Sequence, residues 1–308
     1  ESIMNSLALW LNVSSMNQEP VASGLEAIFG KTKIDFQAYR YDEGKEAQFH
    51  YDGEVDHNIL RKVRETKPDM VIYSGPAAGK CKPALSTLLA LREGGAKTIG
   101  YTLDGGCPEW HPLLEEYKAN NVFDVMVNTD GNPHWPKRQR DVTILQTIDE
   151  RFYEARPFKD IRLGFAGGNG SPHRREAIAM LQERCGLVMA ERSEAWGSYK
   201  QFADFMLRCH MTVNFPETGS GKAFHVKNRV IEAGYAGCCL FEKKNPITAL
   251  YFEPNVDYVE YETFAGLENI IKNISDSEVA FRAHNLALKC RELYTPEKAW
   301  QQVFSKII

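Results

Sequence analysis

Gly164-Phe-Ala-Gly-Gly-Asn-Gly-Ser-Pro-His-Arg-Arg-Glu176 runs from a short apolar stretch through a glycine-rich turn into a segment that opens a helix. Strand, turn and helix in that order begin a parallel sheet, because parallel neighbours are joined only through a crossover. Glycines at 167, 168 and 170 let backbone amides approach an anion, and the helix start adds its dipole. Arg174 and Arg175 stand in the first turn of that helix. On the residues alone, the competing interpretation is an ordinary turn followed by a solvated Arg-Arg-Glu face.

The alternation continues on both sides of this stretch. Downstream, Leu187–Ala190, Met211–Phe215, Cys238–Phe241 and Asp257–Tyr261 read as strands. Arg174–Cys185, Tyr199–Cys209 and Val226–Tyr235 between them carry helical spacing. From Phe264 the chain is helical in pattern, broken at Ser275-Asp-Ser and at Thr295-Pro296, an N-cap followed by proline at the first helical position. Upstream, strands are expected at Leu7–Val13, Ile34–Tyr41, Met70–Ser74, Thr98–Leu103, Val125–Asn128 and Val142–Gln146. Helices are expected around Val21–Phe29, Val55–Glu65, Pro83–Arg92 and Leu113–Ala119, with a loop over Tyr41–Gly53. Ile148–Asp160 has no clear period and holds Arg156-Pro157, so it reads as the linker. The expected fold class is therefore α/β, with two Rossmann-like domains over 1–150 and 151–308. Such a pair places a ligand cleft at the carboxyl ends of the strands.

A chain of 308 residues suits two domains of that size. With a net charge of −4, it is not a globally basic nucleic-acid-coating protein. No apolar run reaches the ~20 residues of a membrane span. Seven cysteines, an odd number without Cys-x-x-Cys spacing, point to buried thiols in a reducing, cytoplasmic setting. No zinc pattern and no Asp-x-Asp is present, so no metal and no cofactor is expected.

The second signal is Glu217-Thr-Gly-Ser-Gly221 followed by a helix bearing Lys227, Arg229 and Glu232. Gly219 lies in the loop. The cations suit a diphosphate, and the carboxylate could accept both hydroxyls of a ribose. A surface ion pair between Arg229 and Glu232, three residues apart, is the plain alternative. In the first half, Asp104 and Asp130 each end a strand and precede glycine, where a carboxylate could act as general base. Aspartate before glycine is also a common turn residue. The basic run Pro136-Lys-Arg-Gln-Arg140 reads as a solvated face, the alternative being a patch that steers an anionic acceptor.

The stretch Val226-Lys-Asn-Arg-Val-Ile-Glu-Ala-Gly-Tyr-Ala-Gly-Cys-Cys-Leu240 resembles the K-x-R-x-[FI]-E-A-x-x-x-G signature of CgeB-like glycosyltransferases. These are GT-B enzymes related to family 1/4-type glycosyltransferases. The resemblance implies two Rossmann-like domains facing each other across a cleft, with the last helix crossing back. It also implies metal-independent transfer of a sugar from a nucleoside-diphosphate sugar, such as a UDP-sugar, with retention. By position Glu232 would hold the ribose and Lys227 and Arg229 the diphosphate, assisted by Arg174 or Arg175. Related retaining enzymes carry a further glutamate eight residues earlier, where this chain has Phe224; Glu217 is the only acid upstream in that loop. The acceptor stays open among glycan, protein, small molecule and nucleic acid. A two-lobed binding protein, a nucleotide-sugar 2-epimerase and a GT-B domain without turnover are the competing functions.

Overall fold

The computed structural model describes residues 4–10, 24, 34–40, 54–74, 83–155, 158–167, 172–191, 198–217, 221 and 223–307. The loop expected over Tyr41–Gly53 lies outside them, as does the helix expected over Val21–Phe29 apart from Gly24. The chain forms two compact units, Glu1–Thr147 with Pro296–Ile308, and Ile148–Thr295.

The first unit is built on β1 (Met4–Trp10), β2 (Ile34–Arg40), β3 (Met70–Ser74), β4 (Lys97–Thr102), β5 (Val125–Asn128) and β6 (Val142–Thr143). They form one parallel sheet in the order β2-β1-β3-β4-β5-β6. Helices α1 (Glu54–Thr66), α2 (Leu85–Ala90) and α3 (His111–Ala119) occupy the crossovers. Every residue of β3 is buried, as a strand covered on both faces requires. Its side chains alternate: Val71 and Tyr73 pack with Leu88, Leu114 and Phe123, whereas Met70 and Ile72 pack with Ile99, Val125 and Val127.

The second of these faces is closed by the last helix, α9 below, through Ala299, Trp300 and Val303. That helix spans Pro296–Phe304 and opens on a proline whose fixed φ suits a first helical residue. Trp300 is fully buried and stacks on Tyr101, ring centroids 5.9 Å apart.

The second unit has β7 (Ile161–Gly167), β8 (Val188–Glu191), β9 (Cys209–Asn214), β10 (Cys239–Lys243) and β11 (Val259–Tyr261). They pair in parallel in the order β11-β10-β9-β7-β8. Around them lie α4 (Pro172–Cys185), α5 (Tyr199–Arg208), α6 (Asn228–Ala236), α7 (Phe264–Asn273) and α8 (Asp276–Leu293); α9 follows. Helix α8 starts with a capping box between Ser275 and Glu278. Helices α6 and α8 pack closely because residue 234 is glycine: a Cβ there would come 2.4 Å from Cys290 Sγ. Six described cysteines are free thiols, five of them buried. Among the described residues no helix is long and apolar enough to cross a membrane.

Several boundaries differ from the sequence expectation. Strand β1 pairs from Met4, not Leu7, since its ladder with β2 already includes the polar Asn5 and Ser6. Strand β6 stops at Thr143, where Ile144 donates its amide to Asn128 and Leu145 forms a lone antiparallel bridge with Asp130. Helix α6 begins at Asn228, with Lys227 as N-cap.

Removing the indole should expose the cost of opening this face. Trp300→Ala is expected to lower stability by about 3–5 kcal/mol, the range for large buried aromatics. Urea unfolding followed by far-UV circular dichroism measures it, and a loss below about 1 kcal/mol would show that α9 is dispensable to the core.

Candidate active site

In the second unit the chain turns to opposite sides of β7, going first to β8 and later to β9. The carboxyl ends of β7 and β9 therefore mark a topological switch point, the place where open parallel sheets bind ligands. Strand β7 ends there at Gly167, whose φ of +154° favours glycine. A Cβ at this position would also lie 3.1 Å from Nη2 of Arg229.

Arg229 reaches this point from the start of α6. Its Nη2 donates to the carbonyl of Ala166, and its guanidinium lies over Phe165 at 4.7 Å and Phe202 at 5.5 Å. Nε stands 3.7 Å from Oε2 of Glu232, and the side chain is only 11% exposed. Arg174 of α4 lies over Phe215 at 5.5 Å, and the rings of Phe165 and Phe215 meet edge to face at 5.5 Å. Two guanidiniums thus cover two touching rings from neighbouring strands. Burial lowers the proton affinity of both. For Arg174 the positive charge of Arg229 lowers it further, and Glu217 opposes this. An anion placed here would meet concentrated positive charge in a poorly solvated place.

Glu232 is 5% exposed. Its Oε1 accepts from the hydroxyl of Tyr199 at 3.0 Å, and that hydroxyl lies 2.7 Å from the hydroxyl of Tyr153. Burial, then the charge of Glu232, holds both phenols well above their ordinary pKa, so they remain protonated. Glu217 forms an ion pair with Lys243. Lys227 is half-buried at the N-cap of α6, and Arg175 is exposed on α4. Gly168 and Gly219 lie outside the described residues.

Beneath the ends of β9 and β10 sits a buried acid that the sequence reading did not single out. Glu242 accepts from Asn214 Nδ2 at 2.7 Å, Thr248 Oγ1 at 2.9 Å and Asn245 Nδ2 at 3.1 Å. Asn245 also donates to the carbonyl of His225, which ties this node to the approach of α6. Burial outweighs these three neutral donors and pushes the carboxyl up to about 7. A glutamate directly after the apolar run Cys239-Leu-Phe241, within the same short strand, was the available signal.

In the first unit the two aspartates differ. Asp130 is 2% exposed, accepting from Gly106 N at 2.8 Å, Asn132 N at 2.8 Å and Asn128 Nδ2 at 2.6 Å. It holds the loop that follows β4. Asp104, half-buried, lies on that loop, and its carbonyl accepts from Cys107 N at 3.0 Å. Within the basic run, Arg138 is committed to Asp141 at 2.7 Å and to the carbonyl of Phe123 at 3.0 Å.

Residues 138–305 match the family model described as glycosyl transferase-like. No curated protein matches the sequence. Among solved structures, the chain resembles Anabaena HepE in complex with UDP and glucose, with a TM-score of 0.61 and 11% identity over 98% of both chains. It also resembles sucrose-phosphate synthase from Thermosynechococcus elongatus, with a TM-score of 0.64 and 9% identity over 98% of this chain and 99% of that one. A glycosyltransferase from Rickettsia africae superposes with a TM-score of 0.60 and 9% identity over 99% of this chain and 98% of that one. At such identities the likeness is one of fold, and the fold is GT-B.

The Glu242 node carries a pH signature. Its folded pKa of about 7 lies above the ordinary glutamate value, so the folded state binds the extra proton. The corresponding stability is full below about pH 4.5 and is lost as pH rises through about 7. Glu242→Gln, with the Asn214 amide turned over to accept, keeps the site neutral throughout. The variant should therefore gain on the wild type by on the order of 2 kcal/mol between pH 5.5 and 8. Urea midpoints at the two values test this; equal differences at both would sink it.

Proposed function

The chain belongs to the glycosyl transferase-like family, and from that premise we propose that it moves a sugar from a UDP-sugar to an acceptor hydroxyl without a divalent metal. One observation carries the donor half of the reading. Arg174 and Arg229 converge on the glycine-rich end of β7 at a switch point, two enclosed cations beside each other. A diphosphate supplies the negative charge such a pair favours, and developing charge on the leaving group would be stabilised in place. Uridine is favoured as the base because HepE, of the same fold, is seen with UDP and glucose.

Within this reading Glu232 takes the ribose hydroxyls, and Arg174 faces the diphosphate, with Lys227 and Arg175 beside it. Arg229, already held by Ala166, sets the charge from beneath. Glu217 is assigned to a sugar hydroxyl. The closer kinship with CgeB-like enzymes, retention at the anomeric carbon and a cytoplasmic setting come from the sequence resemblance and the cysteine pattern and belong to the same proposal. In transfer the acceptor oxygen bonds the anomeric carbon, the bond to the β-phosphate oxygen breaks, and the acceptor proton passes to Asp104.

Calorimetric titration with UDP in the presence of EDTA tests the donor half. Wild type should bind, and Arg174→Ala should bind about tenfold to a hundredfold more weakly, the worth of a charge-assisted hydrogen bond. Uridine binding as tightly as UDP, or a strict need for magnesium, would refute it.

The aspartates separate in a second measurement. Asp104→Asn should lower turnover about a hundredfold while leaving the thermal midpoint unchanged. Asp130→Asn turns an amide donor toward groups that already donate and should cost about 1–3 kcal/mol of stability. Normal turnover in Asp104→Asn removes that residue from the chemistry.

A further inference from the structure

Glu232 is held by more than its arginine. Tyr199 has a single hydroxyl proton, and its hydroxyl donates to Oε1 of Glu232 at 3.0 Å. The 2.7 Å contact with Tyr153 must then run the other way, with Tyr153 donating and Tyr199 accepting. The result is a directed chain, Tyr153 to Tyr199 to Glu232, ending on a carboxylate whose other oxygen faces Arg229 at 3.7 Å.

The rings that carry this chain are themselves fixed. Tyr199 is the first residue of α5; it stacks on Phe202 at 5.4 Å and meets Phe152 edge to face at 5.1 Å. Tyr153 closes a 3-10 turn over Glu150–Tyr153, which Asp149 pins by accepting from the amide of Arg151 at 3.0 Å. The hydrogen bond from Tyr199 fixes one oxygen of the carboxylate, and the charge of Arg229 draws the other toward it, so its rotation is restricted. Two vicinal hydroxyls spanning those oxygens gain most when no rotation has to be frozen on binding.

We propose that Tyr199, backed by Tyr153, is a positioning pair that orients Glu232 for the 2′- and 3′-hydroxyls of the donor ribose, and so governs discrimination between ribose and deoxyribose. The inference rests on the ribose role assigned to Glu232 above. Neither tyrosine touches the nucleotide in this scheme; both act through the carboxylate. A purely structural role would affect stability and leave sugar discrimination alone.

The test is the affinity ratio of UDP over 2′-deoxy-UDP, by calorimetry, for wild type, Tyr199→Phe, Tyr153→Phe, the double variant and Glu232→Ala. Wild type should favour UDP at least tenfold. Glu232→Ala should abolish the preference, and Tyr199→Phe should reduce it at least threefold while its thermal midpoint stays within a few degrees. Tyr153→Phe should act in the same direction and more weakly, and the double variant should be no worse than Tyr199→Phe, because the two act in series. Full discrimination in Tyr199→Phe with loss in Glu232→Ala overturns the positioning pair and leaves the ribose role standing. A wild type indifferent to the 2′-hydroxyl, or Glu232→Ala with full discrimination, overturns both.

Discussion

Arg229 places a full positive charge inside the second unit, and much of the local structure follows from keeping it there. Moving an ion out of water costs several kcal/mol unless every part of it is matched. Part of that matching comes from the carbonyl of Ala166, the faces of Phe165 and Phe202 and the nearby carboxylate of Glu232, while Nε and Nη1 make no hydrogen bond among the described residues. Each partner then constrains its own element. Strand β7 ends in Gly167, where the φ of +154° favours glycine and a Cβ would come 3.1 Å from the guanidinium. Glu232 is oriented in turn, through a hydrogen bond from Tyr199 of α5 and, behind it, Tyr153. A single charge therefore ties β7, α5, α6 and the first turn of the unit together.

Glu242, ten residues further on, shows the opposite solution. It is as enclosed as Glu232 but has only two amides and a hydroxyl for company, and its proton affinity rises accordingly. The two acids belong to the same unit yet differ in the partners that face them. Glu232 faces an arginine, while Glu242 is a hydrogen-bonded strut between β9 and β10. A site that must meet a changing charge without rearranging benefits from both: a fixed field, and a frame that holds it.

The sheet was legible in the sequence wherever apolar runs were bounded by turn residues, as at Met70–Ser74 and Val125–Asn128. It was less legible where pairing, not hydrophobicity, set the limits. Asn5 and Ser6 join β1 because the neighbouring strands reach that far, and Ile144 and Leu145 leave β6 although both are apolar. The site shows the same split. Gly167, Arg174, Arg229 and Glu232 were all visible as chemistry-bearing types at telling spacings. That Arg229 turns inward, under the glycine and onto two rings, depends on contacts between residues over sixty positions apart, which no local pattern encodes. Tyr153 and Tyr199 carried no signal, since an aromatic in a linker or on a helix reads as core.

The aspartates make the general point most sharply. Asp104 and Asp130 share the same local setting, an acid two residues past the end of a strand and followed by glycine. In the folded unit Asp130 spends both oxygens on three donors and anchors the loop through the amide of Gly106, while Asp104 rides on that loop. Gly105 and Gly106 permit this, since a Cβ on either would strike Asn128 or Asn132 within 2.7 Å. The same Asp-Gly pair thus yields one residue that holds and one that is held. At 9–11% identity the solved structures share with this chain a fold, which by itself assigns no side chain a role. What this chain does has to follow from its own charges: enclosed arginines that favour an anion, a carboxylate oriented by a tyrosine and facing an arginine, and a loop anchored so that its acid stays where the chain puts it.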